Sequence, residues 1–109
     1  MAKIKGLMPS LKEKKRYIAF EAIAETDITN FSEETLKEVT KFMGEFGMAQ
    51  AGIIPIPVQR GGLWRVNHNF INQTKAGLTM VTHLSGKQIV LRSLGVSGLL
   101  KKAQGYLVR

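Results

Sequence analysis

Residues 51–67 have the sequence AGIIPIPVQRGGLWRVN, in which two apolar runs flank a turn. The first run, Ala51 to Val58, predicts a strand, but Pro55 and Pro57 cannot donate hydrogen bonds to a neighbour, so this strand belongs at a sheet edge. Residues 59–62 are typical of a hairpin turn, and the second run predicts the returning strand. The middle of the chain is therefore a hairpin, and the elements on either side of it decide the fold.

Each side of this hairpin carries one helix and one further strand. Before it, alternating apolar residues predict a strand from Arg16 to about Glu25, with one face wholly apolar and the other mixed, as in a sheet covered on one side only. A helix follows from Ser32 to Gly47. After the hairpin, residues 70–84 predict a second helix and residues 87–94 a fourth strand.

The order β-α-β-β-α-β predicts an α+β protein of the ferredoxin-like type, which is also the arrangement of RNA-recognition motifs. We expect a four-stranded antiparallel sheet with both helices on one face and a short C-terminal extension.

The two predicted helices have recognisable ends. Ser32 is a suitable N-cap for the first, and Gly47 a natural stop. Its inward face is predicted from apolar and threonine spacing, with the members Leu36, Val39, Thr40, Met43 and Phe46. Asn69 is the expected cap of the second helix.

The 109 residues allow one domain, which we place at 1–109 and expect to be RNA-binding. Residues 1–11 contain Gly6, Pro9 and Ser10, and we expect them to be flexible. Residues 99–109 follow a glycine-rich turn and predict a short tail helix.

Positive charge is distributed unevenly along the chain. The net charge is +8, the first 45 residues carry eight basic and eight acidic side chains, and all eight remaining basic residues follow with no acidic residue among them. Such asymmetry indicates a polyanionic partner. A basic solubilising surface is the plainer alternative, and an anionic membrane is disfavoured because no basic stretch is strongly amphipathic.

The sequence offers little for catalysis by the chain itself. It contains no cysteine and only two histidines, His68 and His83, neither of which has a carboxylate nearby in sequence. A metal site or a nucleophilic triad is therefore not expected. The fold also houses small acyl-phosphate hydrolases, but the loop after the first strand, residues 25–30, is acidic and has no arginine. The absence of a secretory signal and of any long apolar run predicts a soluble, cytoplasmic protein.

Aromatic residues leave two modes of RNA recognition open. RNA-recognition motifs stack bases on aromatic side chains of the central strands. Here Tyr17 is expected on the open face of the first strand, and Trp64 is divided evenly between that face and the core. Recognition of backbone and shape through lysine and arginine fits the residues better.

Two long motifs resemble a known family. Residues 9–21, PSLKEKKRYIAFE, are similar to the opening block of archaeal-type ribonuclease P protein component 2, and residues 89–98, IVLRSLGVSG, resemble its other hallmark. The segments GEFG at 44–47 and AGLT at 76–79 fall where equivalents are expected. The resemblance covers residues 7–102. The chain departs from the family pattern at Val66-Asn67 and at Leu99-Leu100.

The resemblance implies a subunit of ribonuclease P, the ribonucleoprotein endoribonuclease (a hydrolase) that removes the 5′ leader from precursor tRNA. It implies that the RNA carries the chemistry with Mg²⁺, that this chain contributes no catalytic residue and binds no cofactor, and that it associates with component 3, a barrel-like subunit, as a two-plus-two heterotetramer.

On this interpretation the chain binds and stabilises the catalytic RNA. The candidate RNA-binding residues are Lys12, Lys14, Lys15, Arg16, Tyr17, Arg65, His68, Lys75, Arg92, Ser97, Lys101 and Lys102. Two alternatives remain: a stand-alone single-stranded RNA-binding module of the RNA-recognition type, and a protein-interaction scaffold whose charge is incidental.

Overall fold

The sheet of the computed structural model has four antiparallel strands, and the structure describes residues 14–24, 30–84 and 86–107. In the order in which they lie side by side, the strands are β2 (Ile54–Pro55), β3 (Gly62–Asn67), β1 (Lys15–Ile23) and β6 (Val90–Ser97). The predicted α+β, ferredoxin-like architecture is confirmed. The expected flexibility of residues 1–11 lies outside the described residues.

Strand β1 occupies a central position in the sheet. It pairs antiparallel with β3, where Ile18 lies opposite Trp64, and with β6, where Ile18 lies opposite Val96. A β-bulge shifts the pairing with β6 between Ala19 and Phe20. Because β1 runs against both neighbours, its first residues lie beside the last residues of each.

The proline-containing strand lies at the sheet edge, as the sequence predicts. Strand β2 pairs only with β3 in the described sheet, through Ile54 opposite Arg65 and Pro55 opposite Trp64. It is much shorter than the predicted 51–58, because each proline removes a backbone donor from the ladder.

Two helices pack on one face of the sheet. Helix α1 spans Phe31–Ala51, and helix α2 spans Ile71–Met80. The predicted N-cap of α1 is wrong: the helix begins after Asn30, which is left-handed and makes no side-chain cap bond. The Ser32 hydroxyl instead accepts a hydrogen bond from the indole Nε1 of Trp64 at 3.2 Å.

The predicted stop at Gly47 is also wrong, since α1 continues to Ala51 and Gly52 closes it in a left-handed conformation. The regular helix is interrupted earlier, at Gly44, whose φ of 78° and ψ of 163° are not helical. Glycine tolerates this conformation because it has no Cβ. Beyond the break Phe46 is 77 % exposed, so its predicted inward position is wrong.

Helix α2 is shorter than the predicted 70–84. A 3-10 turn over His68–Phe70 precedes it, and the helix ends where Val81 adopts an extended conformation. Val81 and Thr82 are β-branched and favour extended backbone. The chain then forms a small hairpin of β4 (His83–Leu84) and β5 (Lys87–Gln88), so the predicted strand 87–94 is divided and the sheet strand β6 begins at Val90.

The main core lies between the sheet and the two helices. Its fully buried centre contains Phe20 and Trp64, whose rings meet edge to face with centroids 4.8 Å apart. Val39 of α1 and Leu78 of α2 pack against the same cluster. Core burial of Trp64 is therefore confirmed.

The opposite face of the sheet is covered as well. Helix α3, Leu100–Leu107, packs Ala103 against Ala19 and Leu63, with Tyr106 at the margin of this second cluster. The expected tail helix is thus present, but it docks on the sheet, so the prediction of a sheet covered on one side only is wrong. Residues 18–20 of β1 are buried on both faces.

We expect Gly95→Ala to loosen this docking by about 1–3 kcal/mol of unfolding free energy, the usual cost of overpacking. A Cβ at Gly95 would lie 2.5 Å from the ring of Tyr106. Gly105→Ala in α3 is the matched control, because a Cβ there meets nothing within 4 Å and alanine favours the helix. Urea unfolding of both variants measures the effect, and equal stability of the two would contradict it.

Candidate nucleic-acid interface

Three strand ends meet at one end of the sheet. The first residues of β1 lie beside the last residues of β3 and β6, with Lys15 opposite Asn67 and Tyr17 opposite both Arg65 and Ser97. This register brings together basic residues that are far apart in sequence. We call the group the strand-end surface, and its members are Lys14, Lys15, Arg16, Tyr17, Arg65, Asn67, His68, Ser97, Lys101 and Lys102.

Asn67 holds the centre of the strand-end surface. Its amide Nδ2 donates to the carbonyl of Gln50 at 2.8 Å, and its Oδ1 accepts a hydrogen bond from the Lys15 ammonium. Asparagine can do both because its amide carries a donor and an acceptor. The side chain is 7 % exposed, so this bridge fixes where the Lys15 charge stands. The sequence analysis noted Asn67 only as a departure from the family pattern and missed this role.

Lys14 and His68 are joined through the backbone. The amide of His68 donates to the carbonyl of Lys14 at 2.8 Å, and the His68 ring nitrogen Nδ1 lies 3.3 Å from the same oxygen. Both residues are exposed. The contact extends the pairing of β1 and β3 by one residue and leaves the two side chains available to a partner.

Arg16 packs against a glycine at the end of β6. Its guanidinium Nη1 would lie 3.0 Å from a Cβ at Gly98 and donates to the Lys15 carbonyl at 3.3 Å. A larger residue at position 98 would displace the guanidinium. The turn Ser97-Gly98 thus contributes space for Arg16, a role that the sequence analysis did not assign to Gly98.

Arg65 and Tyr17 lie opposite each other on the sheet face that α3 partly covers. Tyr17 packs against the cluster of Ala19, Leu63 and Ala103. The Arg65 Nε is buried and has no hydrogen-bond partner within the described structure. Such orphan donors are uncommon in folded proteins. The protein itself therefore leaves part of the hydrogen-bonding capacity of Arg65 unused.

The first turn of α3 adds two further cations. The Leu99 amide donates to the Ser97 hydroxyl at 3.0 Å, which anchors the start of the helix at the end of β6. Lys101 and Lys102 are exposed in the following turn. Cations at a helix N-terminus face the positive end of its dipole, whereas an anion bound there is stabilised.

Three predicted RNA-binding residues are not brought into this group. Arg92 lies opposite Glu21 and forms an ion pair with it, four residues along β1 from Tyr17. Lys75 lies on α2, in the layer of helices. Lys12 falls outside the described residues.

The described residues provide no metal centre. In the ranges 14–24, 30–84 and 86–107, no group of three or more histidine or acidic side chains is placed to hold a metal ion. Within the same ranges, no helix combines the length and apolarity needed to cross a bilayer.

The face that an RNA-recognition motif would use for stacking is largely occupied. Trp64 points into the main core and is fully buried, while α3 covers the opposite face around Ala19 and Leu63. Tyr17 is half-buried at the margin of α3. The arrangement thus favours contacts by cations at the strand ends over stacking of bases on the sheet.

Comparison with known proteins gives concordant matches. Residues 16–108 match the sequence model of the Rpp14/Pop5 family. The chain is 34 % identical over 103 residues to ribonuclease P protein component 2 of Methanosarcina mazei, covering 92 % of this chain and 89 % of the relative. It is 35 % identical over 107 residues to component 2 of Pyrococcus horikoshii, covering 94 % and 89 %.

Among solved structures, a chain of the cryo-EM structure of yeast ribonuclease MRP superposes with a TM-score of 0.53, covering 88 % of this chain and 87 % of that one. The two sequences are 12 % identical, so this likeness supports the fold.

Proposed function

The chain belongs to the Rpp14/Pop5 family and is a protein subunit of ribonuclease P, and we propose that it acts there by binding and stabilising the catalytic RNA. The observation that supports this role is the strand-end surface. It gathers cations from β1, β3 and α3 within a frame that the Asn67 bridge holds in place.

The proposed mechanism is neutralisation of phosphate charge. A folded RNA brings phosphates close together, and their repulsion opposes compaction. Lysine and arginine side chains on a preformed surface offset that repulsion and displace bound counterions. The Arg65 donor and the lysines of the first turn of α3 are suited to binding phosphate oxygens, because their interactions inside the protein are incomplete.

The division of labour follows from the same residues. We propose that Mg²⁺ is held by the RNA and that this chain supplies neither a metal ligand nor a catalytic group. Its contribution is to lower the Mg²⁺ concentration at which the RNA reaches its active fold, so that the 5′ leader of precursor tRNA is removed.

The proposed partners are ribonuclease P RNA, precursor tRNA and ribonuclease P protein component 3, the last in a two-plus-two heterotetramer. The support for them is the family membership. A site of action in the cytoplasm belongs to the same proposal.

Reconstitution tests the function. We expect addition of this chain together with component 3 to a ribonuclease P RNA to shift the Mg²⁺ dependence of precursor-tRNA cleavage to lower concentrations, because protein cations replace part of the ionic screening. The measurement is the initial cleavage rate across a Mg²⁺ titration, with component 3 alone as the control. An unchanged titration curve would contradict the proposal.

A stand-alone single-stranded RNA-binding module would behave differently. It would bind short unstructured oligonucleotides through Tyr17, and Tyr17→Ala would abolish that binding. We expect little effect of Tyr17→Ala on oligonucleotide affinity, because the ring packs against the α3 cluster.

A further inference from the structure

A patch of exposed apolar side chains lies on the layer of helices, which the strand-end surface does not include. Phe42 and Phe46 of α1 are 50 % and 77 % exposed, and Met80 at the end of α2 is 60 % exposed. Large aromatic side chains rarely remain so accessible without a partner. We call these three residues the helix-layer patch.

The backbone presents this patch through two glycines. Gly77 of α2 would place a Cβ 3.1 Å from Val39 and 3.4 Å from the Phe42 ring, so its lack of a side chain lets the two helices approach beside Phe42. Gly44 interrupts α1 between Phe42 and Phe46 with a positive φ. The hydrophobic spacing of α1 would bury Phe46 on an unbroken helix, but the break leaves it in solvent.

The patch is large enough for the centre of a protein interface. At the usual accessible area of an aromatic side chain, the exposed parts of Phe42 and Phe46 amount to roughly 250 Å², to which Met80 adds more. A standard interface buries about 800 Å² on each partner, with aromatic and methionine residues at its centre and polar residues at its rim.

Charge decides what kind of partner fits. Helix α1 carries four of the five acidic residues that the structure describes, namely Glu33, Glu34, Glu38 and Glu45. Lys37 and Lys41 are paired with Glu34 and Glu38. The Glu38 carboxylate, first by its hydrogen bond and then by its charge, raises the pKa of Lys41, so this lysine stays engaged within the helix.

Glu45 adjoins Phe46 and has no such pairing in the described part of the chain, which leaves the patch with an acidic rim. Phosphates would be repelled there. A second copy of the chain would bring Glu45 towards an identical acidic rim on a molecule that also carries a net charge of +8.

We propose that the helix-layer patch is the docking surface for a protein subunit whose own contact face is apolar and bordered by lysine or arginine. This inference rests on the proposed function, because it identifies how the RNA-binding subunit is attached to a protein partner. It assigns the two sides of the molecule to different partners: RNA at the strand ends and protein on the helices.

The experiment uses purified component 3 as the probe and calorimetric titration as the measurement. Phe42→Ser with Phe46→Ser is the test variant. Ile23→Ser with Val90→Ser is the matched control, since these two residues are 54 % and 60 % exposed and lie opposite each other at the other end of the sheet. We expect the test variant to lose at least tenfold in affinity, as for central aromatic contacts, and the control to bind like the parent chain.

A charge reversal provides the second arm. Glu45→Lys should weaken binding of component 3, whereas Glu33→Lys, near the start of α1, should not. Equal effects of the two reversals would overturn the acidic-rim argument.

Several results would overturn the proposal. They are unchanged affinity of the Phe42 and Phe46 double variant, absence of binding by the parent chain, and a concentration-dependent dimer of the chain alone that the double variant abolishes in light scattering. Loss of RNA affinity with retained binding of component 3 would also overturn it. The RNA-binding role is tested separately, because the strand-end variants and the double variant are each measured against ribonuclease P RNA in the absence of component 3.

Discussion

Replacing Lys14, Lys15 and Arg16 with alanine is expected to weaken binding of ribonuclease P RNA by about two orders of magnitude at 0.1 M salt, because each released counterion contributes somewhat under tenfold. These residues lie at the start of β1, where the register brings them beside the ends of β3 and β6. The dependence of log K on log salt should become shallower by roughly 0.9 for each phosphate that the variant no longer neutralises. Filter binding or fluorescence anisotropy at several salt concentrations measures both quantities.

The control for this experiment must remove the same charge elsewhere. Lys37, Lys41 and Lys87 are exposed, and two of them are ion-paired on α1. Their triple alanine variant should retain most of the RNA affinity and the steeper salt dependence. Equal decreases in affinity for the two triple variants would show that net charge alone governs binding and would contradict the strand-end surface.

Folding of the test variant needs its own measurement. Lys15→Ala leaves the Asn67 Oδ1 without its donor, and an unsatisfied buried acceptor costs about 1–3 kcal/mol. Urea unfolding should therefore show a modest decrease in stability with a cooperative transition retained. RNA affinity is then compared under conditions in which both proteins are folded.

Trp64→Ala is expected to lower the free energy of unfolding by about 3–5 kcal/mol, the usual cost of removing a buried aromatic side chain. The ring is fully buried, meets Phe20 edge to face and donates its Nε1 hydrogen bond to Ser32. Domains of this kind are stable by about 5–15 kcal/mol, so the variant loses much of its margin. Urea denaturation at 25 °C gives the difference.

Trp64→Phe separates packing from hydrogen bonding in the same site. It keeps an aromatic ring beside Phe20 and removes only the donor to Ser32, for which a decrease of about 1 kcal/mol is expected. If Trp64→Ala costs no more than Trp64→Phe, the indole contributes little packing and the description of the core is wrong.

The sequence predicted the architecture because its strongest patterns coincide with the sheet. The hairpin over residues 51–67 and the two prolines placed β2 at the edge, and alternation placed Ile18 and Phe20 on the core side of β1. These are local signals, and each depends on spacing or on a missing backbone donor.

Features that depend on tertiary contacts could not be obtained in this way. Phe46 fits the apolar spacing of α1, yet the break at Gly44 leaves it exposed. Ser32 has the residue type of an N-cap, but the buried indole of Trp64 uses its hydroxyl. Docking of α3 on the sheet requires the close approach of Tyr106 to Gly95, and nothing in either segment alone indicates the other.

The candidate interface shows the same division. The basic residues of 14–16 and 101–102 are visible in the sequence, but only the register of β1 with β3 and β6 brings them to one end of the sheet. Asn67 was missed because its importance comes from bridging Lys15 and Gln50. Arg92 was included because its partner, Glu21, is distant in sequence.

The central position of β1 has a consequence for how the chain is made. This strand leaves the ribosome before both of the strands that pair with it, and the helix that covers its second face, α3, comes from residues 100–107. Pairings of such high contact order form late and fold slowly. An incomplete nascent chain therefore exposes both edges of an apolar strand, which are the surfaces that chaperones and aggregating chains bind. Synthesis of the last helix is the step that makes the protein safe from its own first strand.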